Sequence, residues 1–255
     1  MQRLQINKTA HARWIAIAYL LLAALTVIAA PYIHLPIRSF YWPVHVTTLR
    51  ICLILYALVF AVAWNAYDKN LKRSSVVLAI TFVSAATLDF LYLDALLGIL
   101  TNDGVEAAYF WMMARLVIVL GVFAMVHIPS NATITRCRSA VMLMFACTGI
   151  ATFAYAVFSG WNGLPALMTD GEAVSKLKSS LDYLTLGLYL ITSVLLYQGL
   201  SNKADRKPAE QAGLDGGTLF AATLAMTASE ICTLYLSDFT SVTSLLGHIY
   251  LLIAT

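Results

Sequence analysis

The sequence predicts an all-α integral membrane protein: a bundle of about eight transmembrane helices, seven of them full and the eighth short or truncated. Three observations lead to this fold class. The 255 residues are 60% hydrophobic and only 11% charged, whereas soluble domains are about 25% charged. The apolar runs have about 20 residues, the length with which an α-helix crosses a bilayer. They do not alternate apolar and polar residues, as the strands of a membrane barrel do.

The apolar runs, taken in order, predict the eight helices. Helix one, from Trp14 to about Pro31, follows a basic segment as a signal peptide would, but its apolar run is longer than a usual signal peptide's. Helix two runs from Pro43 to Asn65. The next five are expected at about 75–100, 107–128, 139–158, 177–200 and 218–237. The run from Ser241 to Thr255 is about 15 residues, so helix eight is either short and tilted or incomplete. We expect residues 1–255 to form a single transmembrane domain.

The distribution of Lys and Arg predicts the topology. Of the 16 such residues, 11 lie on one side: three before helix one, three after helix two, two after helix four and three after helix six. Because cytoplasmic loops carry the excess of Lys and Arg, the N-terminus and the exit from helix eight should be cytoplasmic. The basic residues occupy short loops and form no continuous stripe, which argues against a nucleic-acid partner.

Ionisable residues inside the predicted spans are the candidate functional residues. An arginine within a span costs roughly 2.5–3.5 kcal/mol on insertion scales, so Arg50 and Arg115 should face the interior and pair with acidic residues such as Asp89 or Glu230. At about 1.5 Å per residue, the ionisable residues of six helices, Asp182 on helix six among them, fall in the outer half of the membrane. The expected ligand pocket contains His45, Arg50, Asp89, Tyr92, Trp111, Arg115, Glu230 and His248.

Two interpretations of these polar residues stay open: an outward-facing pocket for a small ligand or ion, or salt bridges that fix helix packing. Their location in one leaflet favours the pocket. Trp111 and Arg115 are four residues apart on one helix face, which permits stacking. His45 and His248 are either hydrogen-bonded pocket residues or, as the minority interpretation, haem or metal ligands. The sequence contains no nucleophile triad, phosphate loop or HExxH-type motif, so we expect no catalytic residues and no enzyme activity in this segment.

Several ordered segments resemble the bacterial membrane-associated sensor domains of the MASE class, most closely its third type. They are SFYWPVH before helix two, AWN at 63–65, LDFL at 88–91, FWMMAR at 110–115 and LLGHIY at 245–250. The resemblance implies a module of the bacterial inner membrane that precedes a cytoplasmic diguanylate cyclase, cyclic-di-GMP phosphodiesterase or histidine kinase. It also implies functional roles for a set of matched positions: Asn65, Asp89, Trp111, Arg115 and His248.

The chain departs from that family pattern at two positions. Tyr92 stands where the family usually has His, and Leu251 stands where it often has Lys. A ligand that needs this His, such as a metal, is therefore less expected.

The sequence thus predicts that residues 1–255 form one sensor domain, with the output domain absent from this chain. This sensory input module is expected to bind a small ligand and to signal through helix eight. The expected partners are the bilayer, the ligand, the output domain and, as an open alternative, a second copy of the chain. A small transporter or proton-coupled carrier is the rival function, but it would need polar residues on both sides of the midplane. A membrane enzyme with His45 or His248 as its base is a third, without a second catalytic group at motif spacing.

Overall fold

The computed structural model describes residues 37–65, 70–98, 105–129, 132–160, 164, 176–201, 216–234 and 242–254, and nine helical positions between Trp14 and Ile28. The described residues contain eight helical segments. The first, α1, comprises those nine positions. The others are α2 (Ile37–Asn65), α3 (Arg73–Leu96), α4 (Val105–His127), α5 (Arg136–Phe158), α6 (Lys176–Ser201), α7 (Gly216–Leu234) and α8 (Val242–Ala254).

The all-helical membrane fold predicted from the sequence is confirmed. Six helices, α2 to α7, are long and apolar enough to cross a membrane. The α8 helix has 13 residues, as expected for a short eighth helix. The predicted boundaries differ most at α2, which begins at Ile37 rather than Pro43. A proline is favoured in the first helical turn, so the sequence suggested a start there. Pro43 instead lies inside the helix, as membrane helices tolerate.

Two short strands, which the sequence analysis did not predict, join two basic loops. Strand β1 (Asn70–Lys72) pairs antiparallel with β2 (Thr133–Thr135), with Asn70 opposite Thr135. The backbone N–H of Arg73 extends the pairing by donating to the carbonyl of Ala132 at 2.9 Å. Strands of three residues carry too little periodicity to be recognised from sequence. This two-stranded ribbon precedes α3 and α5 and fixes the distance between their N-termini.

Glycines end two of the helices. Gly98 follows α3 with φ 67° and Gly160 follows α5 with φ 60°. Their N–H groups donate to the carbonyls of Ala95 and Val157, three residues back. A residue with positive φ closes the last helical turn in this way, and glycine adopts that conformation without steric cost.

The chain divides into two compact units, and the division falls inside α2 and α6. The first unit comprises residues 1–52 and 186–255, and the second comprises residues 53–185. In the first unit α7 packs against α8, with Ala228, Cys232 and Tyr250 in a buried cluster. In the second unit α3 packs against α4 along most of its length. The two helices lie close together at Gly121 of α4, where a Cβ would overlap the Thr81 side chain of α3.

Candidate functional site

The eight predicted pocket residues divide between the two units. His45, Arg50, Glu230 and His248 belong to the first unit, and Asp89, Tyr92, Trp111 and Arg115 belong to the second. All of them are buried except Arg50, which is exposed. The expectation that both arginines face the interior is therefore correct for Arg115 and wrong for Arg50. Arg50 lies 13 residues after the start of α2 at Ile37, and its side chain is on the exposed surface of that helix.

In the second unit, four buried side chains from α4 and α6 form what we call the Trp111 cluster: Trp111, Arg115, Lys178 and Asp182. Arg115 Nη1 donates to Asp182 Oδ1 at 3.1 Å, and Lys178 Nζ donates to Asp182 Oδ2 at 3.1 Å. The four charged or aromatic side chains are almost removed from solvent, with 3% of the Asp182 side chain exposed. One carboxylate thus bridges two cations.

The aromatic ring of Trp111 forms one wall of this cluster. The Arg115 guanidinium lies 4.2 Å from the centre of the Trp111 ring, and Lys178 Nζ lies 5.4 Å from it. The negative face of an indole attracts cations, and this attraction is larger where water is excluded. The stacking expected from the four-residue spacing of Trp111 and Arg115 is therefore confirmed.

Local sequence explains why Lys178 and Asp182 belong to the cluster. Lys178 lies in the first turn of α6, where the helix dipole disfavours a cation. Asp182 is four residues further on the same face and offsets that cost. Neither Lys178 nor Asp182 was among the predicted pocket residues. The Lys-x-x-x-Asp spacing at a helix start is the signal that could have found them.

Asp89 and Tyr92, which lie three residues apart on α3, are both buried. This agrees with their predicted position on one inward face. Asp89 is only 4% exposed although it lies within an apolar span. Because a carboxyl group inside a membrane span is costly, its retention there marks it as a candidate functional residue.

In the first unit, His45 of α2 and His248 of α8 form a buried histidine pair. Their ring centres are 4.2 Å apart and the rings are nearly perpendicular, at 74°. Trp42 packs edge-on against His45, with ring centres 6.2 Å apart. A zinc or iron ion about 2 Å from each ring nitrogen would hold the two ring centres roughly 5 Å or more apart. At the observed spacing the two rings cannot both ligate one such ion.

The α7 and α8 helices approach closely beside this pair. Ser229 Oγ donates to the carbonyl of Gly247 at 2.8 Å. A Cβ on Gly247 would lie 3.3 Å from Thr233 Cγ2 and 3.4 Å from the Ser229 carbonyl oxygen. The absence of a side chain at Gly247 thus permits the close crossing, as small residues do between membrane helices. Glu230, also buried, is the residue after Ser229 on α7.

Comparison with known proteins adds the family. The family model of MASE3, a membrane-associated sensor domain, matches residues 37–255. The chain belongs to the MASE3 family. This confirms the resemblance drawn from the short segments, and the described part of the MASE3 domain has the membrane-spanning helices that such a sensor requires. Neither the search of curated proteins nor the search of solved structures found a match.

The MASE3 domain therefore carries two buried polar groupings, one in each unit. Neither contains a group of three or more His, Cys, Asp or Glu side chains within the described residues that could hold a metal ion. The Trp111 cluster offers cation donors, a carboxylate acceptor and an aromatic wall. These are the groups with which membrane proteins bind small charged or zwitterionic ligands.

Proposed function

We propose that this MASE3 domain is a membrane-embedded sensory input module that binds a small polar ligand or ion at its buried polar residues. It would pass the signal through α8 to a cytoplasmic output domain, such as a diguanylate cyclase, a cyclic-di-GMP phosphodiesterase or a histidine kinase. The family assignment supports the sensory role. The Trp111 cluster is the observation that carries the ligand-binding role.

The charged side chains of the Trp111 cluster are costly to place inside a membrane span. Each charged side chain in a span costs roughly 2.5–3.5 kcal/mol on insertion scales. A buried ion pair repays its own desolvation only when its geometry is excellent, and apolar residues of similar volume often stabilise a fold as well or better. Three buried charges beside Trp111 are thus a poor means of holding α4 to α6. A ligand that forms hydrogen bonds with Arg115, Lys178 or Asp182 would account for the burial of these three charges.

The α8 helix is suited to transmit the signal. The Ser229–Gly247 hydrogen bond and the close packing at Gly247 couple its position to that of α7. His248 is the next residue and contacts His45 of α2. A ligand biases such a helix tenfold when it binds one of two arrangements about 1.4 kcal/mol more tightly. One charge-assisted hydrogen bond is sufficient for that difference.

The orientation that accompanies this proposal is a cytoplasmic N-terminus in the bacterial inner membrane. Cys137 tests it with the native chain, because it is exposed beside two arginines in a predicted cytoplasmic loop, while Cys52 and Cys232 are buried. An impermeant maleimide should label Cys137 only after cells are opened. Cys137→Ser is the control for labelling of Cys147 within α5. Labelling of Cys137 on intact cells would reverse the topology.

The two arginines supply the functional test, because one is buried in the Trp111 cluster and the other is exposed. The chain is fused after Thr255 to a diguanylate cyclase, and cyclic-di-GMP is measured across a panel of small extracellular solutes at matched expression. Some solute of the panel should change the cyclic-di-GMP level of the parent fusion. Arg115→Ala and His248→Ala should abolish that response, whereas Arg50→Ala should retain it. The MASE3 domain without its fused cyclase should form no product.

Two results would contradict this proposal. If Arg115→Ala and His248→Ala respond like the parent, the buried polar residues serve packing alone. If the purified 255-residue chain turns over any substrate of the panel, the domain is not a pure input module.

A further inference from the structure

The α5 helix presents most of its surface to the surrounding membrane. In its most apolar 18-residue window only 6% of the residues are buried. Phe145 is 75% exposed and Tyr155 is 76% exposed. Its contacts with α4 include the aromatic pairs that Phe110 makes with Phe153 and Phe158, at 6.0 and 5.2 Å between ring centres. The α5 helix also contacts α3, and most of its remaining surface is exposed.

An apolar groove runs along this exposed surface. The residues that line it on α5 follow the spacing of a single helix face, and Leu164 closes one end. They are Phe145, Thr148, Gly149, Thr152, Phe153 and Ala156. The floor is at Gly149, where a Cβ would meet no atom within 4 Å. We call this the α5 groove.

A basic residue stands at the head of the α5 groove. Arg138 is exposed and lies seven residues before Phe145 and eleven before Gly149. Those separations are close to two and three helical turns, so the three residues share one face. At 1.5 Å per residue, Phe145 and Gly149 lie about 10 and 16 Å deeper along the helix than Arg138. One leaflet of hydrocarbon is about 15 Å thick, half of the bilayer core.

The β1–β2 ribbon enlarges the basic surface at this end of the helix. Residues 70–74 and 132–139 contain Lys72, Arg73, Arg136 and Arg138 and no Asp or Glu. The strand pairing holds the two loops side by side. Arg73 and Arg136 each occupy the first residue of a helix, where the helix dipole disfavours a cation and favours an anion.

We propose that the α5 groove, headed by Arg138 and the ribbon, is a binding site for an anionic phospholipid, with the phosphate at Arg138 and an acyl chain along Phe145 and Gly149. The site has a cationic head at the start of a membrane span, and Phe145 and Gly149 lie at about the depth of one leaflet from that head. Basic clusters next to a span attract anionic headgroups by this electrostatic mechanism.

Charge also decides against a second copy of the chain as the occupant. A symmetric dimer across this face would use the same surface of both protomers. Both copies have the same orientation in the membrane, so the two Arg138 residues would meet at the same end of the interface. Like charges in that position oppose association, whereas a phosphate neutralises them.

The experiment uses the full chain in lipid nanodiscs and native mass spectrometry after release into detergent. The probes are dioleoyl phosphatidylglycerol and dioleoyl phosphatidylcholine, compared at equal content. The parent should retain phosphatidylglycerol in preference to phosphatidylcholine. Arg138→Gln should weaken phosphatidylglycerol retention about fivefold and leave phosphatidylcholine unchanged, because one basic residue is worth about 1 kcal/mol near an anionic surface and 1.4 kcal/mol is tenfold. Arg138→Lys should restore it.

Filling the groove tests the acyl-chain half of the site. Gly149→Leu should reduce retention of both lipids. The matched control is Gly187→Leu, because a Cβ on Gly187 would also meet open space but Gly187 lies on α6 and does not line the groove. Unchanged retention in Arg138→Gln and Gly149→Leu would overturn the proposal. So would a dimer that Gly149→Leu dissociates while lipid retention stays constant, since the groove would then bind a second copy.

Discussion

The α4 and α5 helices are alike in length and in mean hydropathy, yet their surroundings are opposite. Their spans have 22 and 23 residues and the same mean hydropathy. In α4 half of the most apolar window is buried, and in α5 only 6% is. The polar residues follow the same division. The Arg115 guanidinium of α4 is enclosed by Trp111 and Asp182, whereas Arg138 of α5 is exposed.

This contrast shows that hydropathy identifies a helix that leaves water but not what replaces the water. In a bilayer, lipid chains are as apolar as leucine, so the hydrophobic effect does not distinguish a protein neighbour from a lipid neighbour. Close packing and polar contacts make that choice. The α4 helix has both, with Gly121 against Thr81 and Arg115 against Asp182. The α5 helix has an open groove at the corresponding glycine, Gly149.

The largest expected effect on thermal stability comes from removing the Asp182 carboxylate, which pairs with Arg115 of α4. Asp182→Ala leaves Arg115 and Lys178 buried without it, and breaking a buried ion pair costs about 3–5 kcal/mol. We expect the thermal midpoint in detergent to fall sharply. Asp182→Asn, which keeps one acceptor oxygen for one of the two cations, should lose less.

An unchanged midpoint in Asp182→Ala would mean that the two cations leave the interior at little cost. The surroundings of α4 would then differ from those of α5 in packing alone. The Trp111 cluster would have no part in holding α4 to α6.

A smaller effect on the thermal midpoint is expected from alanine substitution at Gly121 of α4 and Gly149 of α5. The midpoint should fall for the first and stay constant or rise for the second. Gly121→Ala places a Cβ in the Thr81 side chain, and overpacking of this kind costs about 1–3 kcal/mol. Gly149→Ala places its Cβ in open space. Alanine has the higher helix propensity, so its midpoint should stay constant or rise. Both variants are measured in the same detergent. Equal losses at the two positions would show that α5 is packed in the membrane in a way that its exposed surface does not indicate.

Some of the candidate site follows from sequence because it depends on a single helix. Trp111 and Arg115 stack because residues four apart share a face, and this spacing is visible in the chain. The inward position of Asp89 and His248 follows from the cost of polar groups in lipid. The same reasoning was wrong for Arg50, which is exposed, because the position of a residue along one helix does not decide which face of that helix meets another.

The family, the number of helices and their approximate ends were determined by the sequence, since apolar length and the ordered segments depend only on the chain. Tertiary structure alone decided that Asp182 joins Arg115 to Lys178, that His45 and His248 lie too close for both rings to ligate one ion, and that α5 faces outward. The reason is physical. Burial in a membrane depends on which helix faces meet, and residues such as Arg115 and Asp182, 67 positions apart, meet only when packing brings their helices together.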